Sequence, residues 1–299
     1  MNTPFNRHVG LLVLDVTMSN PNGDPDMESE PRTRELDGLG MISPVSLKRK
    51  FRDLVSEESE VFTEAKQQLN LGAITQNEFR ILEERGRDRN EIKEMGKDKF
   101  KQTFWDARLF GNTFLEALEK KDRESGKLEH LINTGAVQIG VGLSVAPIDV
   151  VRMTNTNKSG VEAGKDRGMA PLAFRVVTHG IYCIPIYVNP SIAKKTGATS
   201  EDLDLLKFMM PYVYQHTASA IRPQISVLHA WFAEHKNTLG SCPEHLFINA
   251  LTPKLKEGVS QPASVKDYEI PNRKDLGSIL GRFKDVRDLV NDSGDLEET

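Results

Sequence analysis

From Pro44 to Arg52 the chain carries four bases, Lys48, Arg49, Lys50 and Arg52, and no acid. Lys48 and Arg52 stand four residues apart and share a face if the segment is helical, while Leu47, Phe51, Leu54 and Val55 recur at the spacing of an apolar stripe that faces a core. Cations in a row on a helix can track phosphates, because each neutralised phosphate releases counterions and gives binding that depends on salt and tolerates any sequence. The same residues would also make an ordinary solvated face, and a short basic run alone does not choose between the two.

Two further segments carry chemistry. In Asn20-Pro-Asn-Gly-Asp-Pro-Asp, the amides of Asn20 and Asn22 and the exposed backbone suit sugar and phosphate contacts, and Asp24 and Asp26 are carboxylates of the kind that hold a hard cation. A tight turn has the same composition, and for metal the turn is the better reading because the calcium-loop pattern is incomplete and no histidine lies nearby. The excursion from Arg152 to Arg175 sets the bases Arg152, Lys158, Lys165, Arg167 and Arg175 against two acids, Glu162 and Asp166, with Met153 and Met169 near its ends. A mobile basic hairpin with flexible apolar side chains can unstack the bases of a single strand, and polar excursions beyond about 12–15 residues are commonly functional or disordered. Enzymatic patterns are poor. The seven histidines lack zincin spacing, no Gly-x-Ser-x-Gly occurs, and the glycines near Gly135, Gly140 and Gly142 complete neither a P-loop nor a dinucleotide fingerprint. His179, His229 and His235 sit in strand-like runs, where core packing is the expected role.

The elements that must position these residues follow from periodicity. Val9 to Val16 reads as a buried strand, and the basic segment after Gly38 and Gly40 as a helix that Ser46 can cap. Glu57 to about Lys101 is dense in charge with Val61, Phe62, Ala65, Leu69, Phe79, Ile81 and Leu82 at helical spacing, which predicts a protruding helical insertion. Gly135 to Ala146 reads as a strand or strand pair, and Leu172 to Val188 as a strand after the excursion. Asp202 to Thr217 reads as a helix capped by Ser200, Ile225 to Phe232 as the last core strand, and everything beyond Pro253 as peripheral structure with a disordered acidic tail. The assembly is an α+β fold whose insertions outweigh its core.

Composition sets the frame. The 299 residues are 38% hydrophobic and 27% charged, as in soluble proteins, and no window approaches the about 18 apolar residues that a membrane helix requires. The start of the chain lacks a secretory pattern, so a cytoplasmic location is expected. Cys183 and Cys242, the only cysteines, allow no disulfide framework and no four-thiolate zinc site. The net charge of −4 is segregated between the basic segment and an acidic end, where Arg287 is the only base from Asp285 to Glu298.

The first strand, the Asn20-Pro-Asn-Gly-Asp-Pro-Asp segment, Pro31-Arg32, Gly38-x-Gly40 and Leu47-Lys-Arg-Lys-Phe-Arg together resemble the Cas-seven family, the backbone subunit of type I CRISPR Cascade complexes, closest in its I-C and I-B branch. The similarity continues through Arg108-Leu-Phe-Gly111, the Gly135-x-Val-Gln138 strand, Arg152-Met153 and the strand around Gly180, to about residue 235. Leu39 between the two glycines and Pro44 before the helix depart from the family pattern. The resemblance implies an RNA-recognition-like (ferredoxin-like) palm from residues 1–56, 133–151 and 176–252, helical fingers from 57–132, a β-hairpin thumb from 152–175 and a peripheral segment from 253–299. It further implies a non-catalytic subunit, without cofactor or resident metal, that oligomerises head to tail along crRNA among other Cascade subunits and presents the guide for pairing with target DNA. Asn20, Asn22, Lys48, Arg49 and Arg52 become guide-backbone candidates, Gln138 lies on the sheet surface, and Arg152, Met153, Lys158, Lys165, Arg167, Met169 and Arg175 belong to the thumb. Two rival readings remain at this point: a guide-dependent, metal-assisted endoribonuclease using Asp15, Asp24 or Asp26, and a generic single-stranded RNA adaptor.

Overall fold

The computed structural model describes residues 5–56, 58–72, 77–84, 89–115, 130–157 and 170–292. Lys158, Lys165, Arg167 and Met169 lie outside the described residues, as does the end of the acidic tail. In chain order the described elements are β1 (His8–Ser19), β2 (Leu39–Ile42), α1 (Pro44–Leu54), α2 (Glu60–Gln68), α3 (Arg89–Glu94), α4 (Lys97–Thr103), α5 (Trp105–Phe110), β3 (Gly111–Leu115), β4 (His130–Thr134), β5 (Val137–Ile139), β6 (Gly142–Pro147), β7 (Val150–Asn157), β8 (Ala170–Val188), α6 (Pro190–Thr196), α7 (Ser200–Met209), β9 (Ile225–His235), α8 (Glu244–Leu251) and β10 (Phe283–Asp288). Short two-residue ladders and 3-10 turns complete the set.

An antiparallel sheet organises them in the order β10-β9-β1-β8-β6-β2, with β5 and β7 also paired to β8. Leu12, Leu14 and Val16 of β1 enter one buried cluster, while Val9, Leu11 and Val13 enter another. The strand's period of two thus feeds two cores, and Val9 to Leu14 reads as a continuous apolar run because both sheet faces are covered. α1, α2, α5 and α7 cover the first face through Phe51, Phe62, Trp105 and Leu206. On the second face Phe247 and Leu251 of α8 join Tyr268, Leu276, Phe283 and Val286.

That second layer overturns two expectations. β9 is not the last core strand, since β10 pairs with it from Trp231↔Asp288 to His235↔Phe283. Residues beyond 253 are not peripheral either, because Tyr268, Leu276, Phe283 and Val286 are buried in the cluster on the second face. The insertion also differs from a protruding subdomain: Val61, Phe62, Ala65 and Ile81 belong to the same cluster as Leu12 and Leu14, and only Leu82, Ile92, Phe100, Phe104 and Ala107 form a satellite core of their own.

Caps shift by small steps. α1 starts after Ser43, whose hydroxyl accepts from Ser46 N–H at 3.2 Å, so Ser46 is the capped residue rather than the cap. Pro44 fits the first turn, where its missing donor costs nothing. α7 is capped by Thr199 in a reciprocal box with Asp202, one residue before the expected Ser200, and ends at Met209, before two 3-10 turns. At Gly40 the backbone presses on the core, where a Cβ would stand 2.1 Å from the Tyr182 hydroxyl. Only glycine permits that approach.

β8 is 19 residues long and pairs with β1 along one edge and with β7, β6 and β5 in turn along the other. Val177 to Val188 pairs with β1, whereas Ala170 to Val177 pairs with β7. The β7–β8 hairpin therefore runs past the end of β1 by roughly 20 Å at ~3.3 Å per residue.

Candidate nucleic-acid interface

The four bases of α1 do not form one row. Arg52, only 7% exposed, donates from Nε to Asp106 Oδ2 at 2.8 Å and reaches Glu83 Oε2 at 3.2 Å from its other end. Asp106 in turn accepts from the backbone N–H groups of Leu82 and Glu83. Arg52 thus clamps α1 to the insertion, with two of its three guanidinium nitrogens on carboxylates, while it still lines the groove beside Lys48. Lys50, 3% exposed, turns to the opposite flank, donates to Thr217 Oγ1 at 2.9 Å and lies 4.8 Å from the centre of the Tyr214 ring. Burial, with the Arg222 charge beside it, pushes the Lys50 ammonium down to about 8. Lys48 and Arg49 remain toward solvent, Arg49 in an exposed pair with Asp53 at 2.7 Å.

Lys48 borders a groove of about 370 Å³ between α1 and the β3–β4 hairpin, lined by Phe110, Asn112, Thr113, Asn133 and Thr134. Its Nζ donates to Phe110 O at 3.3 Å and stands 5.7 Å from the Phe110 ring centre. Desolvation, then the Arg52 charge, lowers its pKa, while Glu83 opposes them. A half-buried ammonium held near no bonded carboxylate favours an arriving anion.

The Asn20–Asp26 segment proves structural at both amides. Asn20, 2% exposed, donates from Nδ2 to Ser29 O at 2.7 Å and Arg175 O at 3.3 Å. Asn22 Oδ1 accepts from Ser43 N–H at 2.7 Å, fixing where the chain turns into α1. Asn20 is therefore corrected from a surface contact to a brace, and Asn22 leaves only part of its side chain exposed. Arg175 belongs to the same brace, with Glu28 at 3.2 Å and Glu30 at 3.8 Å. Together they fasten the base of the β7–β8 hairpin to the 20–31 loop. Arg152 is exposed on β7 beside partly buried Met153, and Gln138 is exposed on β5, donating to Gly135 O at 2.9 Å.

Two of the three carboxylates offered for catalysis, Asp24 and Asp15, have partners, while Asp26 is exposed. Asp24 pairs with Arg32 at 3.0 Å and accepts from Asp26 N–H, and Asp15 stands 3.1 Å from His179 Nε2. His229 meets Asp288 at 2.6 Å while stacked on Trp231, and His235 is buried against Phe283. Burial raises the Cys183 thiol to about 12, which leaves it inert.

The family model described as CRISPR-associated protein Cas7 matches residues 6–272. The chain belongs to the Cas7 family. Similar solved structures include a chain titled "CRISPR RNA-guided surveillance complex" at 16% identity and TM-score 0.44, covering 85% of this chain and 78% of that one. A second, "CRISPR RNA-guided surveillance complex, pre-nicking", has 13% identity and TM-score 0.46 over 93% and 88%. A third, a "Type III-B Cmr-beta bound to cognate target RNA", has 10% identity and TM-score 0.39 over 77% and 61%. No curated protein matches by sequence.

Sequence reading missed Arg222 and the groove wall of Phe110, Asn112 and Asn133. Their signal is weak, since none sits in a run of bases and only the fold brings them to α1.

Proposed function

We propose that this chain is a non-catalytic backbone subunit of a type I Cascade complex, which assembles head to tail along crRNA with other Cascade subunits, holds the guide's phosphates and leaves its bases free to pair with target DNA. Membership of the Cas7 family over residues 6–272 carries the reading. What supports an RNA-recognition-type palm is the chain order β1, α1, β5–β6, β8, α7, β9 against the spatial order β9-β1-β8-β6. On this reading the segments around α2–α5, β3 and β4 are the fingers and the β7–β8 hairpin is the thumb.

Because both sheet faces are covered, the guide would run over the helix side, from Lys48 and its groove across Arg49, with Arg152 and Met153 of the hairpin beside it and Gln138 at the sheet's margin. Specificity then resides in base pairing, with the protein sensing backbone shape. The test is binding to single-stranded RNA of unrelated sequences across a salt series. Affinity should fall steeply with salt and vary little with sequence, and the pair Lys48→Ala and Arg49→Ala should lower the slope by up to about one unit for each phosphate that is no longer neutralised. A slope that the double variant leaves intact removes α1 from the track, and strong preference for one sequence would refute the backbone-holding role.

A further inference from the structure

A second cationic place adjoins α1 that the basic run does not reveal. Residues 217–224 return to β9 along the flank of α1, held by Asn20 N–H to Ile221 O at 2.8 Å, Thr17 N–H to Gln224 O at 3.0 Å, and Gln224 N–H to Ser19 Oγ at 2.9 Å. The Ser219–Arg222 bridge closes a tight turn inside that segment. Its position is therefore set by three hydrogen bonds to the end of β1.

The turn brings half-buried Arg222 beside buried Lys50. Arg222 Nε is shielded from solvent and has no hydrogen-bond partner, and no ion pair to either cation forms among the described residues. The nearby acid, Asp53, is already engaged by Arg49 at 2.7 Å. Two cations side by side repel, and an oxyanion arriving at the part of the Arg222 guanidinium that solvent reaches would offset that repulsion, while the shielded Nε stays out of its reach. Arginine's planar fork matches a phosphate's two oxygens, and Lys50 behind it supplies charge rather than direct contact.

We infer that Arg222, backed by Lys50, is a binding site for a backbone phosphodiester of single-stranded RNA, lying on the far flank of α1 from Lys48 and Arg49. The inference rests on the RNA-binding reading above and extends its track to a residue that neither the basic helix nor the hairpin contains. Lys48, Arg49 and Arg222 then mark three places around one helix, so the strand would cross α1 rather than follow it.

The test uses the full chain and an RNA oligonucleotide without terminal phosphates, so that only backbone phosphodiesters are read. Arg222→Gln keeps the size and a donor but removes the charge, and it should lower the slope of log affinity against log salt by about one unit. Arg222→Lys, which restores the charge, should recover most of the slope while remaining weaker than the native residue at low salt. Both variants should melt with the native protein. If wild-type protein binds RNA and Arg222→Gln retains its full slope, the assignment is wrong although the function stands. If wild-type protein binds no RNA, both fall. A slope lost equally in Arg222→Gln and Arg222→Lys would assign Arg222 to loop structure and also overturn the site.

Discussion

Arg108 shows what single residues do in this chain besides binding. Its guanidinium is 1% exposed, donates to both carboxylate oxygens of Asp202 at 2.8 and 2.7 Å, and places its remaining donors on the carbonyls of Lys101, Gln102 and Glu78. Asp202 also closes the cap of α7, so the Arg108–Asp202 pair and its hydrogen bonds tie α5, the 77–84 strip and α7 together. Removing one partner of such a pair strands a buried charge, which typically costs about 3–5 kcal/mol. Arg108→Ala should therefore shift the urea midpoint sharply, and Arg108→Lys should recover only part of it, since three donors cannot replace five in that fork. Arg49→Ala should change stability by only a few tenths of a kcal/mol, because exposed helix pairs are worth about 0.3–0.5 kcal/mol. Equal midpoints for Arg108→Ala and Arg49→Ala would refute this division between structural and binding arginines. It also explains why Lys48, Arg49 and Arg222 are the informative sites for RNA binding, whereas loss of Arg52 would perturb the fold itself.

At the scale of elements, the C-terminal layer decides whether the sheet is a sheet with one wet face. Trp231 and Phe232 are neighbours on β9, yet one enters the second cluster and the other the first. Truncation after residue 252 would uncover Val9, Leu11, Val13, Ile181 and Trp231 and remove β10 from the edge of β9. The shortened chain should bind a hydrophobic dye, lose thermal stability and aggregate, and a soluble truncation with native melting would show that the layer is dispensable. That layer was hard to read in sequence because four of the six residues of β10, Phe283-Lys-Asp-Val-Arg-Asp, are charged: it lies at an edge, where Lys284 and Arg287 stay in water. β1, β8 and the α1 helix were legible, since their apolar period survives without tertiary context. For the site, the pattern located α1 but not which cations it frees. Lys50 and Arg52 flank the apolar stripe on its two sides, and only the neighbours Thr217 and Asp106 decide that they turn inward. Residue type pointed to Asn20 as an RNA contact, whereas its amide donates to Arg175 O, 155 residues away, which makes it a brace.

For the whole molecule, the brace and the projecting hairpin bear on assembly. A subunit repeated along a strand uses a heterologous interface that does not close, so the template rather than symmetry sets the number of copies. The β7–β8 arms leave the sheet at Val177 and are fastened there through Asn20 and Arg175; on the proposed reading it is this hairpin that reaches a neighbouring copy. Asn157 and Ala170 face each other in register, so a two-residue Asn-Gly turn can replace residues 158–169 without changing the arms. The shortened chain should fold with native melting, because the register of Asn157 with Ala170 and the arms on either side are kept. It should still bind a short RNA through α1. On RNAs of increasing length, the wild type should add copies in proportion to length by light scattering, while the shortened chain should load fewer copies and lose cooperativity, because Lys158, Lys165, Arg167 and Met169 are all removed. Full-length filaments formed by the shortened chain at wild-type affinity would refute the thumb assignment. A fixed twofold dimer of the wild type, indifferent to RNA length, would contradict head-to-tail growth itself.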